Sequence, residues 1–204
     1  MLHNPYKIVQ MFEEEVAHYT GAPHAISLDS CTNAIFLACK WVGVVDKEVE
    51  FPTRTYLSPP QSARQAGGRV RFEPREWEGT YQLKPFPIYD AAKRFTSNMY
   101  IPGSFMCLSF HIKKHIKIGK GGMILCDDDE AAKWFKARRY EGRTDGLKYH
   151  EDCIDEEGWN MYMTPVQAAR GLMLMQNHPL VAPDLPEDPP YRDLTEFELF
   201  RKEE

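Results

Sequence analysis

The feature that most restricts the fold is a pair of uninterrupted apolar runs, Phe105-Met-Cys-Leu108 and Met123-Ile-Leu-Cys126, separated by Ser109-Phe-His-Ile-Lys-Lys-His-Ile-Lys-Ile-Gly-Lys-Gly-Gly122. Runs this short and this apolar read as buried β-strands, so the lysines and glycines between them lie on a loop. A lysine on a connection between buried strands loses hydration. Desolvation can bring its pKa from about 10.4 to about 7, where the free amine attacks carbonyl groups. The loop is therefore a candidate nucleophile, and a solvated basic turn is the other use of the same residues.

The 204 residues, 43% of them hydrophobic, suffice for one core. We expect a globular domain over 1–178 and a proline- and acid-rich tail over 179–204, tethered or disordered, with a marginal helix at 194–202. A formal net charge of -5 argues against general affinity for nucleic acid. The sequence has no apolar span of membrane length and no secretory pattern at Met1-Leu-His-Asn-Pro5, so we expect no membrane partner and a cytoplasmic setting. Five cysteines without a Cys-x-x-Cys spacing fit reduced, buried thiols better than a disulfide frame or a zinc site.

Along the chain, helical periodicity spans Pro5 to Tyr19, stopped by Gly21. The strand His24-Ala-Ile-Ser-Leu28 leads through Asp29-Ser-Cys-Thr-Asn33 into a helix, and such a helix start can cap itself or hold a phosphate. Glu48-Val-Glu-Phe51 reads as a strand, Ser58 to Ala66 as a helix and Arg69 to Glu73 as another strand. Pro87-Ile-Tyr-Asp90 is a third, and Asp128 to Arg139 a helix with charges matched to its dipole.

Five stretches in this order resemble the DegT/DnrJ/EryC1/StrS family of pyridoxal-phosphate-dependent sugar aminotransferases: Ser30-Cys-Thr-Asn33, Pro52-Thr-Arg-Thr-Tyr56, Asp90-Ala-Ala92, the Ser109-to-Gly122 loop, and Gly158-Trp-Asn-Met-Tyr-Met-Thr164 with Gln167-Ala-Ala169. The resemblance implies that Lys114, not Lys113, carries the cofactor covalently and that Ser109, Thr32 and the amide of Asn33 hold its phosphate. It implies that Tyr56 stacks on the pyridine ring and that Asp90 pairs with the protonated ring nitrogen, keeping the ring an electron sink. Asn160 would reach the phosphate of a neighbouring chain across a homodimer. Read without the resemblance, Tyr56 is half-buried packing, and Asp90 and Asn160 are turn residues.

The chain departs from the pattern in several places. Cys31 replaces a glycine, Lys93 stands where Gln or His is usual, and Tyr162 replaces an arginine. One β-α unit is missing before Asp90, and the family's smaller C-terminal domain has no counterpart. The fold implied is α/β, a mostly parallel sheet flanked by helices, as in the large domain of fold-type I enzymes. The function implied is transfer of an amino group, often from glutamate, to a nucleotide-linked keto sugar. The alternative is a reduced protein that binds the cofactor with little turnover or needs a partner chain.

Three rivals are weaker. His111 and His115 have a metal-like spacing, but residue 112 is Ile and no third ligand follows. Gly119-Lys-Gly-Gly122 lacks the P-loop spacing. The lysines of the loop with Arg138, Arg139 and Arg143 form a basic patch without the aromatic partners of a nucleic-acid surface.

Overall fold

The computed structural model describes residues 4, 6–187 and 190–201. Its elements follow the sequence periods closely: α1 (Lys7–Thr20), β1 (His24–Leu28), α2 (Cys31–Val42), β2 (Glu48–Pro52), α3 (Ser58–Gln65), β3 (Arg69–Glu73), β4 (Tyr81–Leu83), β5 (Ile88–Asp90), β6 (Phe105–Ser109), β7 (Gly122–Cys126), α4 (Asp129–Arg138), α5 (Pro165–Met175) and α6 (Glu198–Arg201). Pro5, the expected start of the first helix, lies outside the described residues. Gly21 ends α1 in the left-handed conformation at φ 75°, its amide donating to Ala17. Asp128 caps α4 by accepting from the amides of Glu130 and Ala131, and Thr164 and Gln167 form a capping box on α5.

The fold is α/β, and the alternation along β6 and β7 shows why both runs are wholly apolar. Phe105, Cys107, Ile124 and Cys126 face one core with α2 and Phe135 of α4. Met106, Leu108, Met123 and Leu125 face another core with Val9, Phe12 and Val16 of α1 and Ala168 of α5. A strand covered on both sides keeps no polar face. Beneath α1 a buried ion pair joins the layers: Arg139, at the end of α4, bonds Glu13, the Ser27 carbonyl at 2.7 Å and Asp145 at 3.0 Å. With its partners in place, the charge stays satisfied away from water.

The sheet is mixed, which corrects the expectation of mostly parallel pairing. In the order β1-β7-β6-β5-β4, only β5 and β6 pair in parallel. The parallel pair β2-β3 adjoins this sheet through an antiparallel bridge between Glu50 and Lys84. The reversal of β4 has a local cause, for four residues join it to β5 and so it must run against that strand. Between β3 and β5, where a whole β-α unit is expected to be missing, the structure has a short strand, β4, and no helix. β4 turns at Leu83–Ile88 and pairs antiparallel with β5, Tyr81 opposite Asp90.

The tail is packed along the molecule, in contrast to the tether or disorder expected of it. The Tyr19 hydroxyl donates to the Pro179 carbonyl at 2.7 Å, His115 Nε2 to Pro183 at 2.9 Å and the Leu185 amide to Lys93 at 2.9 Å. Arg94 grips Asp184 at 2.9 Å, directly over Gly79, where a Cβ would stand 2.2 Å from the Asp184 carboxyl carbon. Further on, the amide of buried Leu194 donates to Thr53 at 2.8 Å and Phe200 meets Phe72 edge-on at 5.2 Å. A 3-10 turn at Leu194–Glu196 and the single turn α6 stand where a marginal helix is expected; Lys202 is outside the described residues.

Candidate active site

A cavity of about 720 Å³ opens where β2, β5 and β6 end and α2 begins, with the tail across it. Such a place, at the carboxyl ends of strands, is where α/β sheets bind ligands. Five of the residues singled out from sequence line it together: Lys114, Asp90, Thr32, Tyr56 and Ser109. Asn33 and Asn160 are not among its lining residues.

Lys114 is positioned by its loop. The Phe110 amide donates to Gly121, the Gly119 amide to Phe110 and the Lys114 amide to His111, while Ile116 and Ile118 are buried beneath. The side chains of the two adjacent lysines differ in setting: Lys113 is exposed and Lys114 half-buried. Burial lowers the pKa of Lys114 below the ordinary lysine value, opposed by the charge of Asp90 and assisted by that of Lys93. Ser109 ends β6 opposite Gly122, its hydroxyl accepting from the His111 amide at 3.4 Å.

Asp90 is buried at the end of β5. One carboxylate oxygen accepts from the Ala92 amide at 2.9 Å and the other from the Tyr81 hydroxyl at 3.0 Å. The Thr55 hydroxyl donates in turn to Tyr81 at 2.9 Å. Burial raises the pKa of Asp90, and these two hydrogen bonds and Lys114 oppose the shift. Sequence reasoning missed Tyr81 and Thr55. The period-two pattern around Tyr81 is only a strand's, and the hairpin alone sets it opposite Asp90.

At the start of α2, Ser30 is the N-cap and its hydroxyl accepts from the Asn33 amide at 3.2 Å. That amide, expected to contact a phosphate, donates to the Ser30 cap in this structure, whereas the first-turn amides of Cys31 and Thr32 have no intrahelical acceptor. The Asn33 side chain is likewise engaged, donating to Asp29 at 2.6 Å. Cys31 fits in place of glycine because its thiol turns inward and donates to the Cys107 carbonyl at 3.4 Å; burial holds it well above the usual thiol pKa, hence neutral. Gly122 is required here, since a Cβ would stand 2.2 Å from the carbonyl carbon of Ser30.

Tyr56 is 55% exposed at the mouth, 6.4 Å from the ring of Tyr191. Asn160 is exposed on the far connection and donates to Glu141 at 2.9 Å. Tyr162, in place of an arginine, packs with Tyr6 and Tyr140 at 5.8 and 4.9 Å.

Residues 1–101 and 101–180 match the DegT/DnrJ/EryC1/StrS aminotransferase family. The chain belongs to that family. It is similar to the spore coat polysaccharide biosynthesis protein SpsC of Bacillus subtilis, 27% identical over 218 aligned residues that cover 80% of this chain and 55% of that protein. It is also similar to the GDP-perosamine synthase of Caulobacter vibrioides, at 26% identity, covering 83% of this chain and 57% of the relative. The chain thus spans about half the length of the curated relatives it matches. In structure it resembles Helicobacter pylori PseC, an aminotransferase involved in the biosynthesis of pseudoaminic acid, with a TM-score of 0.71 at 16% identity over 88% of this chain and 64% of that one. DesV of S. venezuelae, in complex with a ketimine intermediate, gives 0.65 at 20% identity over 83% and 56%. Among the described residues no helix is long and apolar enough to cross a membrane.

The family implies pyridoxal phosphate, and the cavity's chemistry fits it. A desolvated lysine lies in the same cavity as a buried carboxylate whose bonded partners are a hydroxyl and an amide, neither a cation. A helix N-terminus opens on the other side.

Proposed function

We propose that this chain forms the cofactor-binding part of a pyridoxal-phosphate-dependent aminotransferase that moves an amino group from an amino acid, glutamate in the first instance, to a nucleotide-linked keto sugar. The observation that carries the reading is Lys114, its pKa lowered by burial, sharing one cavity with buried Asp90. Pyridoxal phosphate, when bound, supplies an electron sink on which the amino group is exchanged.

The chain's own residues divide the work. Lys114 would hold the cofactor through its amine and, once free, would carry a proton to and from the α-carbon of the amino donor, a task suited to an amine whose pKa burial lowers. Asp90, whose carboxylate accepts from the Tyr81 hydroxyl and the Ala92 amide, would hold the proton on the pyridine nitrogen. The first turn of α2 and the hydroxyls of Thr32 and Ser109 hold the phosphate. Tyr56 covers the ring, and Trp77 and Tyr191, ring centroids 6.1 Å apart, exclude water from the side that the tail crosses.

The active unit in this reading is a homodimer. Asn160, exposed and not among the lining residues of its own cavity, would belong to the neighbour's phosphate site, and the two-fold is the commonest way for such a chain to self-associate. Supporting this, the sugar-modifying names of the relatives agree with the proposed acceptor. Incubation of purified chain with pyridoxal phosphate and glutamate tests the activity. Formation of 2-oxoglutarate, abolished in Lys114→Ala and kept in Lys113→Ala, is expected; the reverse pattern refutes the assignment.

A further inference from the structure

Of the four lysines that line the cavity, Lys93, Lys113, Lys114 and Lys120, Lys93 has the buried side chain that the reading above leaves without a task. Lys93 follows Asp90 by three residues, its side chain only 7% exposed. The Nζ lies 5.2 Å from the ring centroid of Trp77 and 5.6 Å from that of Tyr191. Its anionic partner is Glu187, with Oε1 at 3.5 Å. Both rings and the carboxylate come from distant segments, Trp77 from the β3–β4 connection and the other two from the tail.

A desolvated ammonium needs an anion, and two aromatic faces add to the attraction while limiting the approach to one side. Glu187 meets that need in the structure. It is the more exposed member of the pair, at 30%, and its neighbour Leu185 is tied independently to the Lys93 carbonyl. A free carboxylate can therefore take the place of Glu187 without the tail leaving the surface. Lys93 also lies close enough to Lys114 for its charge to lower the pKa of that amine. An α-amino acid whose carboxylate met Lys93 would bring its amine into the space that Lys114 lines.

We propose that Lys93 is the anchor for the carboxylate of the amino-acid donor, and that Glu187 of the tail holds this place until a donor displaces it. The proposal rests on the aminotransferase reading for the word donor, but the site itself is a carboxylate subsite of the cavity. A phosphate fits it less well. The helix start of α2 already provides a phosphate place with several amides, whereas Lys93 offers one ammonium between two rings.

The test uses the full chain without added cofactor and glutarate as an unreactive probe, followed by calorimetry. Glu187→Gln, a change on the exposed tail, is expected to bind glutarate about tenfold more tightly than the parent, because an internal competitor lowers apparent affinity by the fraction of time it occupies the site. Lys93→Gln is expected to bind about tenfold more weakly or worse. Unchanged or weaker binding by Glu187→Gln overturns the proposal even if Lys93→Gln does not fold. Equal binding by folded Lys93→Gln overturns it, as does inorganic phosphate affinity that falls as far as that of glutarate in Lys93→Gln. Since no cofactor is present, failure of the cofactor to react with Lys114 would sink the aminotransferase reading while leaving this result intact.

Discussion

The β6–β7 loop and the C-terminal tail both border the cavity, yet they reach it by opposite means. The loop is held by its own neighbours: Phe110 bonds to Gly119 and Gly121, and buried Ile116 and Ile118 lie within the same fourteen-residue stretch. The tail is held by partners far away in sequence, Tyr19, Lys93, Arg94 and Thr53. A loop that carries its own anchors can be read from sequence, and a strap that borrows them cannot. In the proposed reading function divides in the same way, with the reactive amine on the first and the displaceable carboxylate on the second.

The sharpest way to break this comparison is at the fixed side of the cavity. Asp90→Asn should keep the fold and the cofactor but cut glutamate turnover about a hundredfold or more, because the ring nitrogen loses its counter-charge. Steady-state kinetics on both chains decide it; unchanged turnover would make Asp90 a strand-end residue held by Tyr81 alone.

Gly122→Ala comes next. The added methyl would collide with the backbone of Ser30, so β7 and α2 must separate. Overpacking of this kind costs about 2–3 kcal/mol, a fall of about 5–10 °C in Tm for a chain of this size. Thermal denaturation by circular dichroism measures it, and an unshifted Tm would mean that the helix start is not braced against the strand.

These two positions also show what the sequence could disclose. Ser30 to Asn33 and Asp90 lie at a helix start and a strand end, and Lys114 on a loop between two apolar runs, where local pattern fixes position, and most element bounds fell within a few residues for the same reason. The strand β4 was missed because three residues carry little periodicity and its pairing with β5 depends on a tight turn. The Asn33 amide, expected at a phosphate, donates to the Ser30 hydroxyl here, because an N-cap and an anion draw on the same first-turn donors. Trp77, Tyr81, Glu187 and Tyr191 had no local signal at all.

The tail gives a smaller effect. Leu194 is 3% exposed, but its contacts hold a strap and not the core, so Leu194→Ala should lower global stability by less than about 1 kcal/mol while opening the strap locally. Hydrogen exchange at the Leu194 and Leu185 amides should speed up, with the amides of β6 and β7 unchanged. Equal acceleration in the strands would erase the distinction between strap and core.

The least effect separates the two adjacent lysines. Because burial lowers the pKa of Lys114 below 10.5, raising the pH frees its amine earlier than that of an ordinary lysine. Acetylation followed by peptide mass spectrometry across a pH series should show the Lys114 profile rising at lower pH than that of exposed Lys113. Superimposed profiles would remove the electrostatic ground for preferring one over the other.

The central claim is that Lys114 is the residue that takes the cofactor, and covalent trapping addresses it without reference to turnover. The chain is incubated with pyridoxal phosphate, reduced with borohydride, digested and analysed by mass spectrometry. The account predicts a single dominant phosphopyridoxyl adduct on Lys114, lost in Lys114→Ala and retained in Lys113→Ala and Lys93→Gln. An adduct on Lys113 or Lys93, or one scattered over the surface lysines, would contradict it.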